Sequence, residues 1–570
     1  MTALDWGVLF GTLIFIVAYG TWKSRGSKNM EAFIKGDQQK WWMMGLSIMA
    51  TQASAVTFLS TTGQGMEDGM RFVQFYFGLP LAMVILSVTL LPIYYKLKVY
   101  TAYEYLETRF DLKTRTLSAL LFLALRGLSV GITLFAPSLV LSTILGWNIF
   151  FTTVLIGVLV IIYTVSGGNN AVSITQRVQM TIILGGMFLA GMTAFSLLPK
   201  NVSFFDTVQV AGELGKLNIV TTGFSWSDRY NIWSGLLAST FLFLSYFGTD
   251  QSQVARYING KSLSEGRMGL LFNGLLKIPM QFFILYVGVL VFVFYLFNNA
   301  PMLHNTVLLN RAKQSAAKEE VVLLENKFNT LRTRERQSAK DLMDALHQKD
   351  QPAIARAKTT YFSLKHSEDS LRLVVKSTVA KAVPNTGGQD RDYAFLNFVL
   401  NHLPHGLIGL LLAVIFSAAM SSMSSELSAL ASTTMVDIYK RVVDLKQPWL
   451  SDLVVSKLLV VLWALVAMSF AALANFSENL IQFVNIVGSL FYGTILGIFV
   501  VAFYFKKVKS NAVFGAAIAA EACVLICYYF LSDNLAFLYY NIIGCLVVVV
   551  LSLLIQSFTP QKNQPAHNFV

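Results

Sequence analysis

The sequence predicts an all-α polytopic membrane protein, and three observations predict it. Of 570 residues, 55% are hydrophobic and only 13% are charged, and the mean hydropathy is +0.57. That balance is far from the composition of a water-soluble domain. Runs of about 20 apolar residues, the length of a bilayer-spanning helix, recur along nearly the whole chain. Basic residues, finally, gather in alternate connections between those runs, as they do in cytoplasmic loops.

About thirteen spans are expected. They lie near 5–23, 41–64, 72–96, 116–145, 147–165, 171–198, 230–248, 269–298, 396–424, 453–474, 479–505, 511–531 and 536–556. The first carries no basic leader and no small-residue cleavage site, so it reads as a retained span. With the N-terminus outside, Lys23, Arg25, Lys28, Lys35, Lys40, Lys96, Lys98, Arg109, Lys113 and Arg115 face the cytoplasm. So do Arg256, Lys261, Arg267, Lys440, Arg441, Lys446, Lys506, Lys507 and Lys509. The short outer loops keep Arg71, Lys200, Lys216 and Arg229. An odd count leaves the C-terminus cytoplasmic, in a plasma membrane, with a bacterial inner membrane expected. This asymmetry and a basic insert account for the net charge of +13 without nucleic acid. Gly167-Gly168 reads as a turn. Cys523, Cys527 and Cys545 lie in apolar segments and read as packing residues.

Residues 300–393 break the pattern. The segment is hydrophilic and falls outside by the count. Leu324, Phe328, Leu331, Leu342 and Leu346 recur at helical spacing. Asp350-Gln351-Pro352 interrupts, and Ile354, Tyr361, Leu364, Leu371, Val375 and Val379 repeat the spacing until Pro384 and Gly387-Gly388. An extramembrane antiparallel helical hairpin is expected. It is either a solvated insertion or a docking surface for an extracytoplasmic protein partner.

The stretch AVIFSAAMSSMSSELSALASTTMVDIYK, from Ala413 to Lys440, begins as a membrane helix and fills with serines. Hydroxyls three and four apart share one helix face and can offer several hard oxygens to a small cation. The second span, WWMMGLSIMATQASAVTFLSTTGQG, is interrupted midway by small and polar residues. Unwound backbone at that depth is tolerated only inside protein or beside a cavity, where its carbonyls can ligate sodium. The alternative is a small-residue face for close helix packing. Together the two segments suggest an ion site in mid-membrane.

YTAYEYLETRF (Tyr100–Phe110), YFGTDQSQVARYINGKSLSEG (Tyr246–Gly266), SSELSALASTTMVDIYK and LFAPSLVLSTILGW (Leu134–Trp147) resemble the sodium/solute symporters. The last is most similar to the monocarboxylate, vitamin and iodide branch, and the 300–393 insert departs from the common pattern. The resemblance implies a LeuT-type fold with two inverted five-helix repeats, over about 41–198 and 230–505. One helix precedes them within 1–40, and two helices and a tail follow within 506–570. It also implies Na+ as coupling ion, held by Ala50, Ala53, Ala418, Ser421 and Ser422. A second ion in some relatives uses serines matching Ser424 and Ser425 plus an aspartate, where this chain has Gln176. A glutamine brings an oxygen without a charge, so one sodium per cycle is expected.

The expected function is sodium-coupled uptake of a small organic solute by alternating access. One sodium crossing ~100 mV gains ~2.3 kcal/mol, and a roughly tenfold gradient adds ~1.4 kcal/mol. A monoanion with one sodium keeps only the second part, so Gln176 leans toward a neutral or zwitterionic solute. The solute classes are monocarboxylate, amino acid, vitamin or sialate-like. Solute contacts are expected from Gln52, Thr57, Gln74, Asp250, Gln251, Lys277, Gln482 and Asn485, with helix–helix hydrogen bonding the alternative for each. Lys277 matches a lysine of the galactose carriers, but Thr57 replaces their glutamine, which does not support sugar. Arg126, Asp250, Lys277, Glu426 and Glu521 are intramembrane charges, with salt-bridge gating expected at Asp250 and Glu426 and an interface at Glu521. No Walker loop, HExxH pair or nucleophile elbow is present, so no enzyme is expected. The alternatives are a proton-coupled carrier on the same fold and a sensor that uses the hairpin.

Overall fold

A computed structural model of the chain describes residues 1–23, 40–97, 99–200, 202–258, 260–383, 390–443, 450–473 and 479–558. Arg25, Lys28, Lys35, Lys98, Lys446, Pro384, Gly387 and Gly388 lie outside the described residues. Among the described residues every regular element is a helix. Also among the described residues, ten helices are long and apolar enough to cross a membrane, and Ala3–Tyr19 and Ser234–Gly248 are shorter apolar ones.

The first helix, α1, spans Ala3–Lys23. The second expected span is two pieces, α2 (Trp41–Gln52) and α3 (Ala55–Asp68). A 3-10 turn at Gly69–Tyr76 leads into α4 (Gly78–Val88). Next come α5 (Leu112–Leu145) and α6 (Ile149–Ser196). The backbone of α6 is helical through Gly167-Gly168, where a turn was expected. The Tyr163 hydroxyl nevertheless meets the Thr175 hydroxyl. Twelve residues of straight helix would separate those positions by about 18 Å, so α6 bends sharply between its two apolar segments. The seventh span is α7 (Ser239–Gly248). It stops at Thr249, where the expected 230–248 span ends, and restarts as a short helix, Gln251–Tyr257, which the hydropathy pattern did not foresee. Helix α8 (Leu263–Phe297) packs along both halves of the α2/α3 pair. A β-carbon on Gly65 would stand 2.4 Å from the Leu285 carbonyl oxygen, and one on Gly288 2.2 Å from that of Thr62. Glycine is therefore what lets these two backbones touch.

The insert forms α9 (Lys318–Gln348) and α10 (Gln351–Ala382). Lys349 turns the corner at φ 55°, and the Asp350 side chain caps α10 by accepting from Ala353 N–H at 3.1 Å. Leu324, Phe328, Val375 and Val379 pack into a satellite core with Met302 and Leu303 at the hairpin base. Arg332 donates to the Tyr295 carbonyl at the end of α8, and Arg372 to that of Met302 at 2.8 Å. These bonds fasten the hairpin to one end of the helical bundle.

Helix α11 (Asp390–His402) is separate from α12 (Leu407–Thr433). Gly406, at φ 87°, makes the corner inside the expected 396–424 span. Four more long helices follow among the described residues: α13 (Asp452–Leu473), α14 (Leu480–Tyr504), α15 (Ser510–Leu531) and α16 (Leu538–Phe558). In the span built on α12, 83% of the apolar window is buried, against 28% for α13 and for α15. The serine helix, like α5 at the same 83%, therefore stands at the centre of the bundle, and α13 and α15 offer their apolar sides outward.

Candidate ion and solute site

The α2/α3 pair is interrupted for a local reason. Ala53 and Ser54 leave the helical region, with ψ 74° and 171°, and the Ser54 side chain does not cap α3. The hydroxyl of Thr57 donates instead to the Gln52 carbonyl at 3.1 Å. Carbonyls at the end of α2 thus lose their helical partners at a buried position, which exposes oxygen to whatever packs alongside.

Helix α12 packs there. Ser421 donates from its hydroxyl to the Ala50 carbonyl at 3.4 Å. The Ser422 hydroxyl lies 3.1 Å from the carbonyl oxygen of Ala418. Ala50, Ala53, Ala418, Ser421 and Ser422 are all buried. Hard cations of calcium's size hold oxygens at about 2.3–2.6 Å. Two ligands at right angles then stand roughly 3.3–3.7 Å apart, and the Ser421–Ala50 pair meets that spacing. The donors are all uncharged carbonyls and hydroxyls, which suits a monovalent ion that must leave again.

Beside this cluster Gln176 uses both ends of its amide. Its Nε2 donates to Ser425 at 2.9 Å and to Thr51 at 3.2 Å, and its Oε1 accepts from Ser47. The Ser424 hydroxyl is buried and makes no hydrogen bond among the described residues.

A cavity of about 100 Å³ adjoins the break. Thr51, Gln52, Ser54 and Thr57 line one side, and Lys277 of α8 and Asn485 of α14 line others. The walls are Phe75, Tyr76, Phe243, Tyr246 and Tyr492. Gln52 is partly engaged, donating to Asn273 at 3.0 Å. Those aromatic walls were not foreseen, because aromatic residues inside apolar helices carry no distinguishing pattern. Ser129 and Thr133, also in the lining, were equally silent.

At one edge of the cavity sits a buried ion cluster. Arg126 of α5 pairs with Glu426 of α12 at 2.9 Å and with Asp250. It also donates to the Tyr492 hydroxyl at 2.7 Å, which donates in turn to Asp250 at 2.9 Å. Asp250 caps the Gln251–Tyr257 helix by accepting from Ser252 N–H at 2.9 Å, so it binds protein instead of lining the cavity. Beyond it the two signature loops grip each other. Gln251 donates to the Tyr100 carbonyl at 2.9 Å and accepts from Ala102 N–H at 3.1 Å. Tyr103 donates to the Thr249 carbonyl at 2.9 Å. Arg115 joins Asp437 at 2.6 Å and Glu107 at 2.8 Å.

Toward the hairpin, Gln64 accepts from Asn479 at 2.6 Å and from Gln482 at 3.3 Å. Arg391 pairs with Glu67 at the end of α3. Gln74 is spent on loop backbone, donating to the Tyr230 carbonyl at 2.9 Å and accepting from Thr221 N–H at 3.0 Å. Of the expected solute contacts, Gln52, Thr57, Lys277 and Asn485 therefore converge on the cavity. Gln74, Asp250, Gln251 and Gln482 stand elsewhere, because each has a protein partner that fixes it. Glu521, on α15, does not line the cavity either. A larger cavity of about 430 Å³ lies under the hairpin, but most of its charges are neutralised by each other, as in Arg391–Glu67 and Arg372–Glu368.

Discontinuous helices that meet around oxygen donors and an adjoining cavity define a secondary transporter on the LeuT-type fold. The sodium:solute symporter family matches residues 33–327 and 371–520; the chain belongs to that family, and it is a sodium-coupled solute symporter. The unmatched stretch between the two segments, 328–370, is the far half of the hairpin. The sodium/sialic acid symporter SiaT of Proteus mirabilis is 25% identical over 557 residues, 96% of this chain and 93% of that protein. The human sodium-coupled monocarboxylate transporter 1 is 30% identical over 273 residues, covering 47% of this chain and 44% of its own. A solved structure described as the substrate-bound outward-open state of a Na+-coupled sialic acid symporter superposes with TM-score 0.73. It is 22% identical and covers 98% of both chains.

Proposed function

We propose that one sodium per cycle is held by Ala50, Ala53, Ala418, Ser421 and Ser422, and that a small organic solute occupies the cavity beside it. Gln52, Thr57, Lys277 and Asn485 touch the solute. Gln176 takes the place of a second ion, since its amide NH₂ already donates to the hydroxyls of Thr51 and Ser425. The chain lies in the plasma membrane, a bacterial inner membrane, with its N-terminus and hairpin outside and its C-terminus in the cytoplasm. Access alternates between the Gln64–Asn479–Gln482 side and the Arg126–Asp250–Glu426 side.

The observation that carries this reading is the Ser421 hydroxyl 3.4 Å from the Ala50 carbonyl, two residues 371 positions apart in sequence. Uncharged donors make a cage that loads and unloads with a modest gradient, whereas a carboxylate would hold the ion more firmly. The test is the double variant Ser421→Ala, Ser422→Ala in proteoliposomes under an inward sodium gradient. Sodium-stimulated uptake is expected to vanish while the protein still inserts and folds. Unaltered sodium dependence in that variant, or uptake that persists in choline and follows pH, would contradict the assignment.

A further inference from the structure

A cavity of about 430 Å³ lies between the hairpin and the ends of α3 and α8. Small-molecule sites commonly measure about 300–1,000 Å³. Lys216, Arg332, Lys365, Arg372, Lys376 and Arg391 line this one, together with the carboxylates of Glu67, Asp68, Glu368, Asp369 and Asp390. Each of those carboxylates has a cation. Arg391 reaches Glu67 and, at 3.5 Å, Asp68. Lys365 reaches Asp369 at 2.9 Å, and Arg372 reaches Glu368 at 2.7 Å and Asp390 at 4.0 Å.

The surplus is therefore on the donor side. Among the described residues no carboxylate pairs with Lys216 or Lys376. Lys216 donates to the Glu67 carbonyl and lies 4.5 Å from the centre of the Phe292 ring. Burial, with Lys365 nearby, pushes its ammonium down to about 8, as expected of a cation short of counter-charge. Two further donors stand in the lining. His304 is 6% exposed and Arg332 9%, and His304 Nδ1 and Arg332 Nε are buried without a hydrogen-bond partner among the described residues. Buried polar atoms are normally satisfied. An occupant that brings negative charge and several acceptor oxygens would complete the set.

We infer that this cavity binds a small oxyanion, a phosphate or sulfate group, held by Lys216 and Lys376 with Arg332 and His304 as further donors. Ammonium and guanidinium groups suit such oxygens. Phe292, Tyr295, Leu296 and Tyr361 also line the space, so the group fits either as the free ion or as the monoester of a small organic body. The site shares no lining residue with the solute cavity and stands apart from the transport pathway. Lys376 belongs to α10, and Lys216 grips the end of α3. A bound anion thus bridges the hairpin to α3 and firms its docking.

The test titrates the full-length protein in detergent and sodium chloride with sulfate, inorganic phosphate and phenyl phosphate, each against chloride of matched ionic strength. Calorimetry reads binding, and hydrogen exchange across 318–382 reads docking. Sulfate and phosphate are expected to bind saturably at millimolar or lower concentration and to slow exchange in α10, while added chloride does neither. Tighter binding of phenyl phosphate assigns the site to a monoester, and equal binding assigns it to the free ion. Lys216→Gln should weaken affinity by about ten- to a hundredfold and Lys376→Gln by about tenfold, each the loss of one charge-assisted contact. Lys376 is exposed, so its variant keeps the test decisive if Lys216→Gln fails to fold. Lys327→Gln removes an exposed charge of the same hairpin outside the cavity and should leave affinity unchanged. Chloride protecting as well as sulfate, or full affinity in Lys376→Gln, would overturn the inference. Neither outcome touches sodium coupling, which the Ser421 and Ser422 variants test separately.

Discussion

Two clusters sit on the same helix, four or five residues apart, and they are built oppositely. Around Ser421 and Ser422 the donors are neutral and the contacts long, with 3.4 Å between Ser421 and Ala50. Around Glu426 the partners are charged and close, with Arg126 at 2.9 Å and a second carboxylate on the same guanidinium. The difference follows from what each must do. An ion that enters and leaves every cycle needs attraction that bulk hydration can match, which dipoles supply. A buried guanidinium that stays needs full compensation, because an uncompensated charge at that depth costs several kcal/mol. On the proposed reading, helix α12 therefore carries a site built for exchange beside an ion cluster that is fully compensated whenever its side of the cavity is closed.

The largest expected effect comes from breaking the ion cluster. Arg126→Ala leaves two buried carboxylates without their cation and should cost about 3–5 kcal/mol. The expected outcome is loss of folded protein or a sharply lowered melting transition in detergent. The double change Arg126→Leu, Glu426→Leu should recover part of that loss, since both partners then leave together. If Arg126→Ala melts like the parent, the cluster does not hold the fold, and the two clusters on α12 do not differ in this way. A smaller effect is expected at the exchange site. Ser422→Ala alone should weaken apparent sodium affinity by roughly tenfold, one neutral ligand's worth, while leaving thermal stability within about 0.5 kcal/mol.

Gln176 is the residue that sharpens the comparison. Gln176→Asp places a carboxylate against Ser425 and Thr51 and moves the neutral side one step toward the charged one. The expected outcome is steeper sodium dependence of uptake, with the Hill coefficient rising from about 1 toward 2, as linkage of two sites requires. Gln176→Leu should leave the coefficient at about 1. Equal steepness in the aspartate variant and the parent would mean that the amide is not what excludes a second ion.

Much of this was legible in the sequence, and the rest was hidden for definable reasons. The hairpin was legible because two amphipathic repeats flank Asp350-Gln351-Pro352, and Leu324, Phe328, Val375 and Val379 all became buried. The α2/α3 break was legible because Ala53 and Ser54 interrupt an otherwise apolar run. The corner before α12 carried an unread signal, since Pro404 and Gly406 are helix breakers inside a window whose mean hydropathy stays high. The end of the seventh span near 248 was legible, but the short helix Gln251–Tyr257 after it was not, because its cap, Asp250, looks like any other polar residue beyond a span. The cavity separates Gln52 and Thr57 from Gln74, Gln251 and Gln482 only in three dimensions. A buried glutamine needs partners whether or not a solute is one of them. Arg126 and Glu426 are 300 positions apart, and no local pattern pairs them.

The hairpin extends the same contrast to a place that water can reach, and it gives the smallest prediction. Arg332 there faces two carboxylates, Glu335 and, at 3.5 Å, Glu368. Burial pushes Glu335 up to about 7, helped by the negative charge of Glu368. Burial also works against Glu368, but Arg372, Lys365 and Arg332 outweigh it and hold that group below the usual carboxylate range. The signs then differ. Glu335 prefers its proton in the folded hairpin, so its contribution falls as pH rises from 4.5 to about 7 and is level above that. Glu368 contributes stability that is present above the ordinary carboxylate value and lost as pH falls toward its depressed one. Docking of α9 and α10 should therefore be firmest near pH 5 and weaker at pH 8 by on the order of 2 kcal/mol. Hydrogen exchange across 318–382 reads this directly. Glu335→Gln should remove the alkaline loss and leave the acid limb in place, because the glutamine keeps the neutral shape that the pocket prefers. Sodium-driven uptake should follow the same pH trend only if the Arg332 bond to the Tyr295 carbonyl transmits hairpin docking to α8, the helix that carries Lys277.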